Sequence, residues 1–175
     1  KSNATGGKDP WPRNFYLNIW SCEMAFGAVL GYAQFPWDAP ATDGVVLHWN
    51  YVGEKPGAPT APSNLGRTMT HEGGHWLGMR HICGDGACGV EDGIHDTPDS
   101  DAASAQDCML TRNDCDDAGN LFWKGYNPVD MVQNYMDYSA DGCMSLFSRN
   151  QTTRMWHYII ENRDSLFYSY GCDTP

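Results

Sequence analysis

The stretch THEGGHWLGMRH, Thr70 to His81, constrains the fold of this chain more than any other. His71 and His75 are four residues apart, so on a helix they share one face. Their imidazoles then reach one metal ion at about 2 Å from each nitrogen. Glu72 lies about 100° round the helix from His71, near enough to hold a water on that ion without replacing it as a ligand. Gly78 tolerates positive φ, so the chain can leave the helix sharply and swing His81 back as a third ligand. The fold must therefore bury a helix from about Gly66 to Gly78, stop it at a glycine and return the chain across its metal-bearing face. Three neutral imidazoles leave a fourth position open, which marks a catalytic zinc rather than a structural one. A histidine-rich helix without metal is the plain alternative. The whole pattern H-E-x-x-H-x-x-G-x-x-H, however, arises by chance in roughly one chain of this length in 10⁴ to 10⁵.

The chemistry follows from these parts. Zinc lowers the pKa of a bound water and polarises a scissile carbonyl. Glu72 then takes the water proton and delivers it to the leaving amine, as general base and then general acid. No G-x-S-x-G and no catalytic cysteine context supports a covalent nucleophile instead.

Around this helix the chain is uneven. FYLNIW (15–20), LGYAQF (30–35) and GVVLHWNYVG (44–53) read as strands, and the last is the strongest. Residues 54–65 are a proline-rich loop. From Ile82 to about Tyr126 apolar periodicity vanishes among Gly, Asp, Asn and Cys, and so long an irregular stretch needs pinning by disulfides or metal ions. A final helix starts near Ser148, which has capping-box spacing to Gln151, and runs on through Met155, Ile159, Asn162 and Leu166. With 175 residues the chain suits one domain. Its net charge of −11 argues against nucleic acid and for bound cations or basic substrates, although an acidic surface that aids solubility explains much of it. Seven cysteines point to an oxidising compartment, secreted or periplasmic, with two or three disulfides. No run of 18 apolar residues is present to cross a membrane.

HEGGHWLGMRH resembles the extended zinc signature of metzincin metallopeptidases, and NYMDYS (134–139) is similar to their Met-turn. GGKDPWP, YLNIW, LGYAQFP, DGVVLHW, LGRTMTHEGGHWLGMRHI and DTP, in this order, resemble the pappalysin family in particular, and the likeness runs from about Gly6 to about Met155. The resemblance implies zinc on His71, His75 and His81, Glu72 and Tyr138 as catalytic residues, and Met136 as a hydrophobic floor beneath the metal. Tyr138 would donate to the transition-state oxyanion. LGYAQFP would be the edge strand that pairs with a protein or peptide substrate. CGVEDGIHDTP would hold a structural calcium on Asp92, Thr97 and Asp96, with His95 outside the zinc set. Family order implies disulfides Cys88–Cys115 and Cys108–Cys143, and by elimination Cys22–Cys172, leaving Cys83 free. Asp141, or a position beside it, would select Arg or Lys after the scissile bond.

The implied fold is α+β and metzincin-like. A twisted sheet and active-site helix (1–81) would sit above an irregular, calcium- and disulfide-stapled part (82–175) ending in a helix. The family's domain begins earlier than GGKDPWP, so the first part of the domain is expected on another segment, itself a potential partner. Cutting before lysine would also make Lys1 a self-cleavage terminus. The rival reading is an inactive, secreted binding module, stabilised by calcium and disulfides, that keeps a zinc site.

Overall fold

The computed structural model describes residues 1–24, 29–54, 62–104 and 106–169. Its sheet has three strands, β1 (Ile19–Cys22), β2 (Gly31–Ala33) and β3 (Val45–His48), in the order β1-β3-β2. β1 runs parallel to β3 from Ile19↔Val45 to Cys22↔His48, and β2 runs antiparallel to it from Gly31↔Leu47 to Ala33↔Val45. The centre falls to β3 because Val45, Val46 and Leu47 form an unbroken apolar run, and all three are buried. The chain enters β3 through Gly44 at φ +132°, where a Cβ would lie 2.3 Å from the Asn18 carbonyl oxygen. Only glycine fits there, and Val45 N–H donates to that same oxygen at 2.8 Å.

All three strands are shorter than the sequence predicts. The first is displaced: Phe15 and Tyr16 lie exposed in a turn closed on the Pro12 carbonyl, and pairing begins only at Ile19. Aromatic content signalled a strand where the rings instead cover the surface, with Trp11 edge-on to Tyr16. After His48 the chain turns into a 3-10 helix at Trp49–Tyr51, whose Asn50 N–H donates to His48 Nδ1.

Helix α1 spans Arg67–Trp76 and packs on β2 and β3. Its buried residues are Thr68, His71, Glu72, Gly74 and Trp76. Gly73 faces open space, and Gly74 is the glycine in close contact. Two apolar clusters flank the helix. Val45, Leu47 and Trp76 form one, against which Met69 and Leu166 pack. Met79, Ile82, Ile94, Met136 and Met155 form the other, with Phe147 and Tyr158 against it.

Beyond α1 the described chain is irregular, with one 3-10 turn at Asp117–Gly119, until α2 (Arg149–Asn162). Disulfides Cys88–Cys115 and Cys108–Cys143 staple this stretch. Cys83 is buried and unpaired, while the expected partner of Cys22, Cys172, falls outside the described residues. Ser148 and Gln151 form a complete capping box at the start of α2. The helix stops four residues short of Leu166, because Arg163 leaves it to form a buried ion pair with Asp43 at 2.6 Å. Leu166 instead sits in a 3-10 turn and packs on the cluster beneath β3.

Candidate metal centre

α1 presents His71 and His75 side by side, one turn apart. Gly78, at φ +89°, ends the run, and a Cβ there would strike the Tyr158 ring at 2.3 Å. Turned this way, the chain brings His81 back so that its Nε2 lies 3.2 Å from that of His71 and 3.0 Å from that of His75. Each imidazole is held through its other nitrogen. His71 Nδ1 meets the Tyr135 carbonyl and His75 Nδ1 the Met79 carbonyl, both at 2.7 Å. His81 Nδ1 contacts the Asp85 carboxylate. These acceptors fix the proton on Nδ1 in all three rings, so three Nε2 lone pairs face one another. Such an arrangement is repulsive unless a cation stands between them. Imidazoles about 2.0–2.1 Å from a tetrahedral zinc have nitrogens about 3.3–3.4 Å apart, close to the spacing found. Among the described residues this is the one group of three His, Cys, Asp or Glu side chains placed to hold a metal.

Burial, then the neighbouring histidines, pushes His71 down to about 3. Burial, then His81, pushes His75 down to about 4. Both rings therefore stay neutral, the form that binds metal, well below neutral pH. Burial pushes the Glu72 carboxyl up to about 8. That carboxylate lies beneath the edge strand: a Cβ on Gly31 would come within 3.0 Å of Glu72 Oε1. Glycine at 31 thus makes the space in which the acid sits.

Met136 is fully buried and packs against α1 at Gly74. Gly74 admits it, since a Cβ there would be 2.2 Å from the Met136 sulfur. The turn that carries Met136 also binds the ligand helix and the chain beyond it. Tyr135 offers its carbonyl to His71, and Met136 accepts from Ile82 N–H at 3.2 Å. Asn134, with Gln151 across from it at 2.7 Å, fixes the turn through a bond to Met136 N–H at 2.9 Å. The Tyr138 ring lies 4.6 Å from that of His81 and 5.4 Å from that of His71. Burial, then the charges of Asp85 and Glu72, pushes its hydroxyl up to about 12, so it remains a donor.

A cleft of about 580 Å³ joins these groups, walled by Gly31, Tyr32, His71, Glu72, Tyr138 and Asp141. Asp141 is buried, and its Oδ2 accepts from Leu65 N–H at 2.7 Å and Arg67 N–H at 3.2 Å at the start of α1. Of the residues expected to hold calcium, Asp92 and Thr97 meet directly, and Asp96 is bonded to the start of α2. Asp92 takes both its oxygens to Thr97 Oγ1 at 3.0 Å, and burial pushes it up to about 6. Asp96 is committed to α2, accepting from Ser148 Oγ at 2.6 Å and Asn150 N–H at 3.0 Å. His95 is absent from the zinc group, as its spacing predicts. Sequence reading missed Asp85, although it stands four residues after His81, the one signal that could have found it.

Three histidines placed to hold one metal, two of them on a helix and the third returned to them by the turn at Gly78, open into a cleft beside a buried glutamate and define a metallopeptidase-type site. A family model described as peptidase family M43, Pregnancy-associated plasma protein-A, matches residues 2–160. The chain belongs to this family, the pappalysins. It is 39% identical over 145 residues to Extracellular metalloprotease 1 of Coccidioides posadasii, covering 79% of this chain and 48% of that protein. An Extracellular metalloprotease of Colletotrichum graminicola is 37% identical over 143 residues, covering 78% of this chain and 47% of its own. The chain thus spans about half the length of these curated relatives. Among solved structures it resembles Tannerella forsythia mature mirolysin in complex with a cleaved peptide. The TM-score is 0.86 at 36% identity, over 100% of this chain and 65% of that one. The α+β architecture, with its small mixed sheet and C-terminal helix, is therefore that of mirolysin.

Proposed function

We propose that this chain is the catalytic part of an extracellular zinc endopeptidase that cuts on the N-terminal side of Arg or Lys. The observation that carries the reading is the convergence of three Nε2 lone pairs beside a buried glutamate in an open cleft. Zinc held by His71, His75 and His81 supplies Lewis acidity to a substrate carbonyl and to water. Glu72, walled in by Gly31, takes the proton of the attacking water and passes it to the leaving amine. The Tyr138 hydroxyl donates a hydrogen bond to the oxyanion as it develops. β2 is an edge of the sheet along the cleft, so an extended peptide adds to it as a further strand. Asp141, buried at the wall, favours a cation on the residue after the cut. The names of its relatives and the two disulfides support an extracellular setting. We further propose structural calcium near Asp92 and Thr97.

Glu72→Ala should retain zinc and lose roughly 10³-fold or more in turnover on a peptide pool. An active Glu72→Ala, or cleavage indifferent to a zinc chelator, would refute the mechanism. Mapping cut sites in a denatured protein digest tests the specificity, and a majority of apolar residues after the cuts would overturn it. A melting point unchanged by calcium, with zinc saturating, would refute the calcium site.

A further inference from the structure

The three histidines are not held alike. His71 and His75 rest on backbone carbonyls, which are neutral and fixed by the fold. His81 rests on a carboxylate, carried by a turn. That turn is built for the purpose. Gly84 N–H donates to the His81 carbonyl at 2.9 Å, and Gly86 N–H to the Cys83 carbonyl at 3.1 Å. Its two central residues, Gly84 at φ +60° and Asp85 at φ +63°, are both left-handed, as a type I′ turn requires. Gly84 has no alternative, because a Cβ would lie 2.0 Å from the Val90 carbonyl oxygen. At the next position, where glycine or asparagine would sit without strain, the chain places an aspartate. Its side chain is 62% exposed, so burial does not account for its choice. The left-handed backbone folds the turn back and delivers the carboxylate to His81 Nδ1.

We propose that Asp85 is a positioning residue for the third zinc ligand, fixing the His81 tautomer and enriching Nε2 as an electron donor. An anionic acceptor does both more strongly than a carbonyl, and it sets a negative charge one imidazole away from the cation. His81 is also the ligand that α1 does not carry. Its orientation depends on the loop after Gly78, and Asp85 supplies from that loop what the helix supplies to the other two. The role rests on the zinc reading above.

The test is zinc affinity by chelator competition on the expressed protein, with cobalt(II) absorption as a second readout. Asp85→Gly removes the carboxylate and relieves the left-handed backbone, so the metal-free melting point should hold. Zinc Kd should nevertheless rise about 10- to 100-fold, and the cobalt bands should shift. Asp85→Asn keeps an acceptor without the charge and should recover part of the loss. Wild-type affinity and an unchanged cobalt spectrum in Asp85→Gly would overturn the inference. If zinc binding is lost in His75→Ala while Asp85→Gly stays unchanged, this inference fails alone. Failure of the unsubstituted protein to bind zinc overturns both it and the three-histidine reading.

Discussion

Asp43 is 1% exposed and Arg163 is 2% exposed, and they meet at 2.6 Å beside the C-terminal end of α1. Trp76 Nε1 also donates to Asp43, at 3.1 Å, and the Arg163 guanidinium lies 4.1 Å from the Trp76 ring centre. One carboxylate thus joins the start of β3, the end of α1 and the chain after α2. Asp43→Asn would leave a buried guanidinium without its counter-charge, which costs about 3–5 kcal/mol. The asparagine oxygen could still accept from Trp76. Asp43→Ala strands that indole N–H as well, adding about 1–3 kcal/mol. Urea unfolding of the zinc-loaded protein would measure both. The expected order is wild type, Asn, then Ala, with the larger step first. Replacing the pair together, as Asp43→Leu with Arg163→Met, should recover much of the loss, since a well-packed apolar pair avoids desolvation. An Asp43→Asn variant within about 1 kcal/mol of wild type would refute the reasoning, because that is the worth of an exposed pair.

Tyr138→Phe should lower kcat about 10²-fold or more with little change in KM, and an equal rise in KM would point to ground-state binding instead. Gly74→Ala should distort the metal centre, since its methyl must displace the Met136 sulfur from 2.2 Å; wild-type zinc affinity in that variant would contradict the floor contact. Opening Cys108–Cys143, which closes a separation of 35 residues, should cost about 3–4 kcal/mol in urea, and no loss would mean that the segment is pinned by other contacts. Burial, the leading cause, pushes Asp130 up to about 6 from an ordinary 3.8. Between those values only the unfolded chain ionises, so the acid's contribution to stability is lost as pH rises through 6. The stability of Asp130→Asn relative to wild type should therefore climb from pH 4 to 6 and stay level above, and a flat difference would contradict this.

The metal centre was legible because its ligands lie within eleven residues and the helix period dictates their geometry. The capping box at Ser148 was legible for the same reason: it is local. What escaped was set by partners far away in the chain. Phe15 and Tyr16 have strand composition, yet β1 begins where Val45 can pair with it. The last helix has apolar spacing through Leu166, yet it ends at Asn162 because Arg163 has a charge to meet 120 positions upstream. The bonds from Ser148 and Asn150 to the Asp96 carboxylate join positions 52 and 54 residues apart, which no local pattern relates. Asp85 was passed over because an aspartate in a glycine-rich turn is ordinary until its left-handed φ and its histidine partner are seen together.

The close approaches at the glycines bear on how this sequence can drift. Gly74 accommodates Met136, Gly78 accommodates Tyr158, and Gly31 accommodates Glu72. In each pair, one position is empty so that a side chain on a distant segment can be where it is. A mutation that adds bulk at any of the three is harmful alone, and the compensating change must arise at a residue 41, 62 or 80 positions away, for Gly31, Gly74 and Gly78 in turn. Descendants of this chain should therefore retain or alter these positions jointly, so that the two members of a pair carry one history between them.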